Sequence, residues 1–100
     1  MNEMQEFEKN AERASLVLKT MSNKERLMIL CMLLERELCV SELNNSVPLS
    51  QSALSQHLAV LRKNNLVDTR RESQTIYYSV KGEAPTKIIA VLKELYCKDI

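Results

Sequence analysis

The chain has 100 residues, 45% of them hydrophobic and 27% charged, with a net charge of +1. That balance fits one globular domain and excludes disordered and fibrous classes. One glycine and two prolines argue against an all-β fold, and no 18-residue apolar span is present to cross a membrane as a helix.

Met4, Phe7, Ala11, Ala14, Leu18 and Met21 recur three and four residues apart, which predicts a first helix with one sustained apolar stripe. Ser22-Asn23-Lys24-Glu25 reads as a capping box opening a second helix. Its run LMILCMLL, Leu27 to Leu34, is apolar all round, so this helix is expected to be central and buried. ELCV, Glu37 to Val40, reads as a short extended piece. Ser41 is expected to cap a brief third helix through Val47, stopped by Pro48. Ser50 caps a fourth helix that runs to about Asn64. Val67 to Val80 reads as a β-hairpin, with VDTRR and TIYYSV flanking the polar turn Glu72-Ser73-Gln74 and with Ile76, Tyr78 and Val80 on one face. Pro85 suits the first turn of a last helix ending near Cys97, striped by Ile88, Val91, Leu92, Leu95 and Tyr96. The predicted class is mainly α with a small β-hairpin, in the order α-α-α-α-β-β-α. Two short helices and a tight turn, then a basic hairpin, describe a winged helix-turn-helix. The helix-turn-helix covers about 41–64 and the wing about 67–80, within a single domain over 1–100.

Charge is unevenly placed. Residues 1–50 hold six basic and eight acidic groups, residues 51–100 eight basic and five acidic, and none of the acidic ones falls between Leu43 and Val67. In the fourth helix Leu54, Leu58 and Leu61 form the core stripe, while Ser52, Ser55, Gln56, Ala59 and Lys63 lie opposite. Short hydrogen-bonding side chains near a helix start suit base edges in a major groove: Gln with adenine, Ser with several edges, an Ala methyl with thymine. Arg62, Lys63 and the wing's Arg70 and Arg71 would then meet phosphate. Ser50, Gln51 and Gln74 complete the candidate DNA-binding set. His57 lies on the flank of the leucine stripe and reads equally as a packing histidine and as a phosphate contact.

The segment VSELNNSVPLSQSALSQHLAVLRKNNLV, followed by RRESQTIYYSV, resembles the ArsR/SmtB family of winged-helix transcriptional repressors over about residues 10–97. The resemblance implies a homodimer, joined through the first and last helices, that binds a palindromic double-stranded operator. Phe7, Ala11, Ala14, Leu18 and Met21, with Ile88, Leu92 and Leu95, are the interface candidates, and half of the first stripe could instead be intramolecular core. Both of the family's common metal sites are broken here. The third-helix motif reads ELCVSE, with Ser41 in place of a cysteine, and the last helix has no histidine and only Glu94 and Asp99. No metal and no other cofactor is expected.

Cys31 in RLMILCML and Cys97 in KELYC resemble the paired thiols of the family's persulfide- and redox-sensing subgroup, that of biofilm-growth and haemolysin regulators. The resemblance implies a small reactive sulfur species or an oxidant as inducer, acting through those two residues. By periodicity alone Cys97 falls opposite the last helix's apolar stripe, and Cys31 is buried filler whose pKa burial would raise. Cys97, near Lys93 and Lys98, is then the better first nucleophile. Cys39 is expected to pack near the third helix. Two alternatives stand beside thiol control: a DNA-binding regulator without inducer that displaces a silencing protein, and a metal-responsive repressor. A thiol enzyme would need an activating base, and no Cys–His pairing is present, so no enzymatic activity is expected. The odd cysteine count and the acidic, polar N-terminus point to a reducing cytoplasm with no membrane attachment.

Overall fold

The structure, a computed structural model, describes residues 2–97. Helix α1 (Glu3–Met21) opens on a reciprocal cap: Asn2 Oδ1 accepts the Gln5 N–H at 2.8 Å, and the Gln5 side chain accepts the Asn2 N–H at 3.1 Å. Helix α2 (Lys24–Glu35) is capped by Asn23 rather than by Ser22. Asn23 Oδ1 takes the Arg26 N–H at 3.0 Å, while the Ser22 N–H closes the end of α1 on the Lys19 carbonyl. The expected box is therefore displaced by one residue, because the preceding helix still holds Ser22.

Strand β1 (Leu38–Cys39) leads directly into helix α3 (Val40–Ser46). The cap of α3 is Cys39, two residues ahead of the predicted Ser41. Glu42, three residues on, reaches back to accept the Cys39 N–H at 3.0 Å and closes the first turn. The Ser41 hydroxyl lies 3.3 Å from Cys39 Sγ. Helix α4 (Gln51–Lys63) starts where the sequence places it, with Ser50 Oγ accepting the Ala53 N–H at 3.1 Å. It ends in a Schellman turn: Leu66 N–H bonds to the Leu61 carbonyl and Asn65 N–H to that of Arg62, with Asn65 at φ 61°.

Strands β2 (Val67–Glu72) and β3 (Thr75–Val80) pair antiparallel from Val67↔Val80 to Glu72↔Thr75. The turn between them has two residues, with Ser73 at φ 59°, the hand that matches strand twist. β1 adds to the other side of β3 through Leu38↔Tyr78 and Cys39↔Tyr77, giving the order β1-β3-β2. The wing is thus a three-stranded sheet rather than an isolated hairpin. Helix α5 (Ala84–Tyr96) carries Pro85 in its first turn, as predicted.

α2 is the hub, packed against α1, α4, α5 and β3. Its Ile29, Leu30 and Leu33 meet Leu43 and Val47 of the α3 region, Leu54, Leu58 and Leu61 of α4, and Ile89 of α5 in one core. The long helix α1 contributes only Met21 to that buried set. Phe7, Ala11, Ala14 and Leu18 remain exposed, as do Val91, Leu95 and Tyr96 on α5. Of the interface candidates, Met21 is buried within its own protomer, and Ile88 is half-buried against the core. The first lies where α1 turns into α2, and the second beside Ile89, the residue α5 buries most deeply.

Candidate nucleic-acid interface and thiol cavity

Two features of this fold stand out. The first is the outer face of α4. Burying Leu54, Leu58 and Leu61 at 1% exposure or less forces Gln51, Ser52, Ser55, Gln56, Ala59, Arg62 and Lys63 outward together. No acidic side chain stands in the first turn, and both basic ones are in the last. Asn44 Nδ2 donates to the Leu49 carbonyl at 2.8 Å, fixing the turn between α3 and α4. A groove of about 440 Å³ runs from Ser55, Ala59, Arg62 and Lys63 to Tyr78 of the wing. Tyr78 is a contributor that sequence reading missed: the sequence marks it only as one of three residues sharing a hairpin face, and its place beside α4 depends on how the sheet packs.

The wing arginines differ from each other. Arg71 is exposed, and no ion pair holds it among the described residues. Arg70 is already engaged. Its Nε donates to Glu37 Oε1 at 2.8 Å, its Nη1 to Glu72 Oε2 at 3.0 Å, and its guanidinium lies 4.7 Å over the Tyr77 ring. Glu37 first and Glu72 second raise its pKa further above the usual value. Arg70 therefore staples the wing to β1, and its charge is largely neutralised before any phosphate arrives. Gln74 is exposed at the wing tip. His57 is half-buried, with its Nδ1 3.4 Å from Arg26 Nη1.

The second feature is a cavity of about 590 Å³ between α2, α3 and α5. Cys31 and Cys97 both line it, with Met32, Leu38, Glu35, Arg36, Glu42 and Lys93. Cys97 is therefore not the peripheral thiol that its place opposite the α5 stripe predicts. Because α5 crosses α2, its C-terminal end comes over Cys31. Burial pushes the Cys31 thiol up, Lys93 works against that, and a thiolate at Cys97 would add to the rise. Lys98, invoked with Lys93 from the sequence, lies outside the described residues, as does Asp99. Cys39 stands apart, at the foot of the wing. No disulfide joins Cys31, Cys39 or Cys97. Among the described residues no cluster of His, Cys, Asp and Glu is placed to hold a metal ion, and no helix is long and apolar enough to cross a membrane.

Comparison with known proteins bears on both features. Residues 23–69, from the α2 cap into the wing, match the family described as "Bacterial regulatory protein, arsR family". HlyU of Vibrio cholerae, named a transcriptional activator, is 52% identical over 95% of this chain and 88% of its own length. The chain belongs to the ArsR family. As such it is a DNA-binding transcriptional regulator and not an enzyme. The solved structure of reduced HlyU superposes with a TM-score of 0.86 at 53% identity, over 93% of this chain and 98% of that one. The transcriptional repressor BigR from Xylella fastidiosa gives 0.84 at 35% identity, over 97% and 98%. A Mycobacterium bovis ArsR-family domain, Mb0332, described as a homodimeric winged helix-turn-helix, gives 0.76 at 26% identity, over 90% and 83%. For this ArsR-family regulator the winged helix-turn-helix fold expected from sequence is therefore established.

Proposed function

We propose that this protein is a homodimeric repressor that reads a palindromic operator with α4, and that the thiols of Cys31 and Cys97 control it. The single observation that carries the control is their common cavity. Two unbridged cysteines 66 positions apart line one space between the core helix α2 and the end of α5.

Dimerisation is supported by surface area. The chain exposes 7308 Å², whereas a compact 11.5 kDa monomer exposes only ~5,800 Å². The excess of roughly 1,500 Å² per protomer is what a permanent dimer covers. Most of the large apolar residues left bare are on α1 and α5: Met4, Phe7, Leu16, Leu18, Val91, Leu95 and Tyr96. Pairing through these helices sets the distance between the two α4 helices, which must match half-sites one helical turn apart. Ser50, Gln51, Ser52, Ser55, Gln56 and Ala59 then face bases or nearby phosphate, Arg62, Lys63 and Arg71 meet phosphate, and Gln74 lies at the adjoining groove.

Control follows from bond formation across the cavity. One cysteine thiolate attacks the outer sulfur of a persulfide, R–S–SH, becoming Cys–S–SH and releasing RS⁻. The second thiolate attacks the inner sulfur, forms the Cys31–Cys97 disulfide and releases HS⁻; the persulfide is the oxidant. The bond ties α5 to α2 and moves one half of the dimer contact. A coupling of about 1–3 kcal/mol would loosen the operator about 5–150-fold.

The test is operator affinity of Cys31→Ser and Cys97→Ser, with and without a polysulfide donor. Release abolished in both is the expected result; release as in the parent protein would end the thiol reading. One observation favours a second mode of action: the 52%-identical HlyU is named an activator. A dimer that displaces a silencing protein would use the same DNA surface. Transcription from a promoter fusion, with and without the silencer, separates the two.

A further inference from the structure

His57 is the one histidine of the chain, and it stands on the flank of α4 between the buried leucines and the reading face. Its Nδ1 lies 3.4 Å from Arg26 Nη1. The same guanidinium donates through Nε to the Thr20 carbonyl at 2.6 Å, in the last turn of α1. Arg26 thus spans from the end of α1 to the side of α4. Thr20 is itself fixed: it is 4% exposed and its hydroxyl bonds back to the Leu16 carbonyl at 2.8 Å. A cation there also suits the negative end of α1.

A guanidinium has five donors and no acceptor, and it stays charged. Nδ1 can answer Nη1 only with its lone pair, so the ring proton must be on Nε2. Arg26 therefore does two things at once. It engages Nδ1 as the acceptor, leaving Nε2–H as the ring's donor, and it pins α4 to the end of α1.

The geometry points to Arg26 as a positioning residue for DNA binding: by occupying Nδ1 it leaves the Nε2–H of His57 as a donor to a backbone phosphate, and it ties the position of α4 to α1. This deepens the reading that α4 lies against DNA and rests on it. Three consequences separate it from the ordinary view of a basic helix. His57 contributes affinity without releasing a counterion. Its removal weakens all sequences alike. A shift of α1 reaches the reading helix through one side chain, independently of the two thiols.

The experiment uses the full-length protein and an operator duplex. Nitrogen-15 NMR of the imidazole at neutral pH is expected to show the neutral Nε2–H tautomer; an Nδ1–H or doubly protonated ring overturns the proposal without any variant. His57→Asn keeps an acceptor near the Nδ1 position and has nothing at Nε2. It is expected to weaken binding about tenfold per half-site, as one hydrogen bond to a charged oxygen does, with the salt slope unchanged. A slope reduced by about one per protomer would mean that His57 binds as a cation. His57→Gln keeps a distal donor and loses the strut, and is expected to regain part of that affinity. Arg26→Gln should lose the tautomer preference and weaken binding at least as far. Full affinity in a folded Arg26→Gln refutes the positioning role. Arg62→Ala and Lys63→Ala test the underlying reading: no effect from these would mean that α4 does not face DNA at all.

Discussion

Phe7→Ala should dissociate the dimer while leaving the protomer folded. Phe7 is 69% exposed on the outer stripe of α1. A phenylalanine presents about 150–250 Å² to be buried, so roughly 100–170 Å² awaits a cover. At about 25 cal/mol per Å² that cover contributes about 2.5–4 kcal/mol per copy. A two-fold interface contains the residue twice, and the alanine methyl retains part of the contact. The net loss is then roughly 4–6 kcal/mol, or about 10³–10⁴-fold in the dimer dissociation constant. Sedimentation velocity from nanomolar to micromolar protein reads this directly, with far-ultraviolet circular dichroism as the control for folding. A variant that sediments as the parent does at every concentration would remove α1 from the interface. Loss of helical signal at high concentration would instead make Phe7 part of a core that the single chain does not show.

Three further outcomes follow from the local chemistry. Arg71→Ala should lower the salt slope of operator binding by about one per protomer, and Arg70→Ala by clearly less, because Glu37 and Glu72 already neutralise Arg70; equal effects would show that the staple opens on DNA. The Cys39 N–H, and then its thiol, hold the Glu42 carboxyl below its usual 4.5. A depressed carboxylate stabilises the fold above its unfolded value and loses that contribution as pH falls through the folded one. Urea midpoints should therefore favour the parent over Glu42→Gln at about pH 6 and converge by about pH 3; a constant gap would contradict the assignment. Burial raises the Cys31 pKa and Lys93 opposes it, so Lys93→Met should move the pH profile of Cys31 alkylation upward and slow the reaction at neutral pH. A downward or absent shift would show that Lys93 does not face the thiol.

The fold was legible wherever the signal is local. Ser50 as a cap, the leucines of α4 at 54, 58 and 61, and Pro85 at the start of α5 each depend on neighbours within a turn or two. The caps at Asn23 and Cys39 were misplaced by one and two residues. Ser22 is held by the end of α1, and Ser41 falls inside α3, whose first turn Glu42 closes on Cys39. The outer face of α4 follows from its periodicity, but Tyr78 reaches it from β3, a distant part of the chain, and the Arg70–Glu37 pair links residues 33 positions apart. The same is true of the thiols. Helical spacing puts Cys97 on the wrong side of α5, and only the crossing of α5 over α2 brings it to the cavity of Cys31. Resemblance to a family supplied that pairing where periodicity did not.

Asn65 closes α4 at φ 61°, where most side chains crowd their own backbone. Glycine fits there freely, and asparagine and aspartate at small cost. Substitution at this position is therefore confined to a few residues even though the side chain is exposed. A valine or isoleucine would cost about 1–3 kcal/mol of backbone strain or force the turn to reopen. Reopening would swing the wing away from the groove it shares with α4. Position 65 is thus a place where a random library should lose DNA binding through direction alone, with every contacting side chain still present.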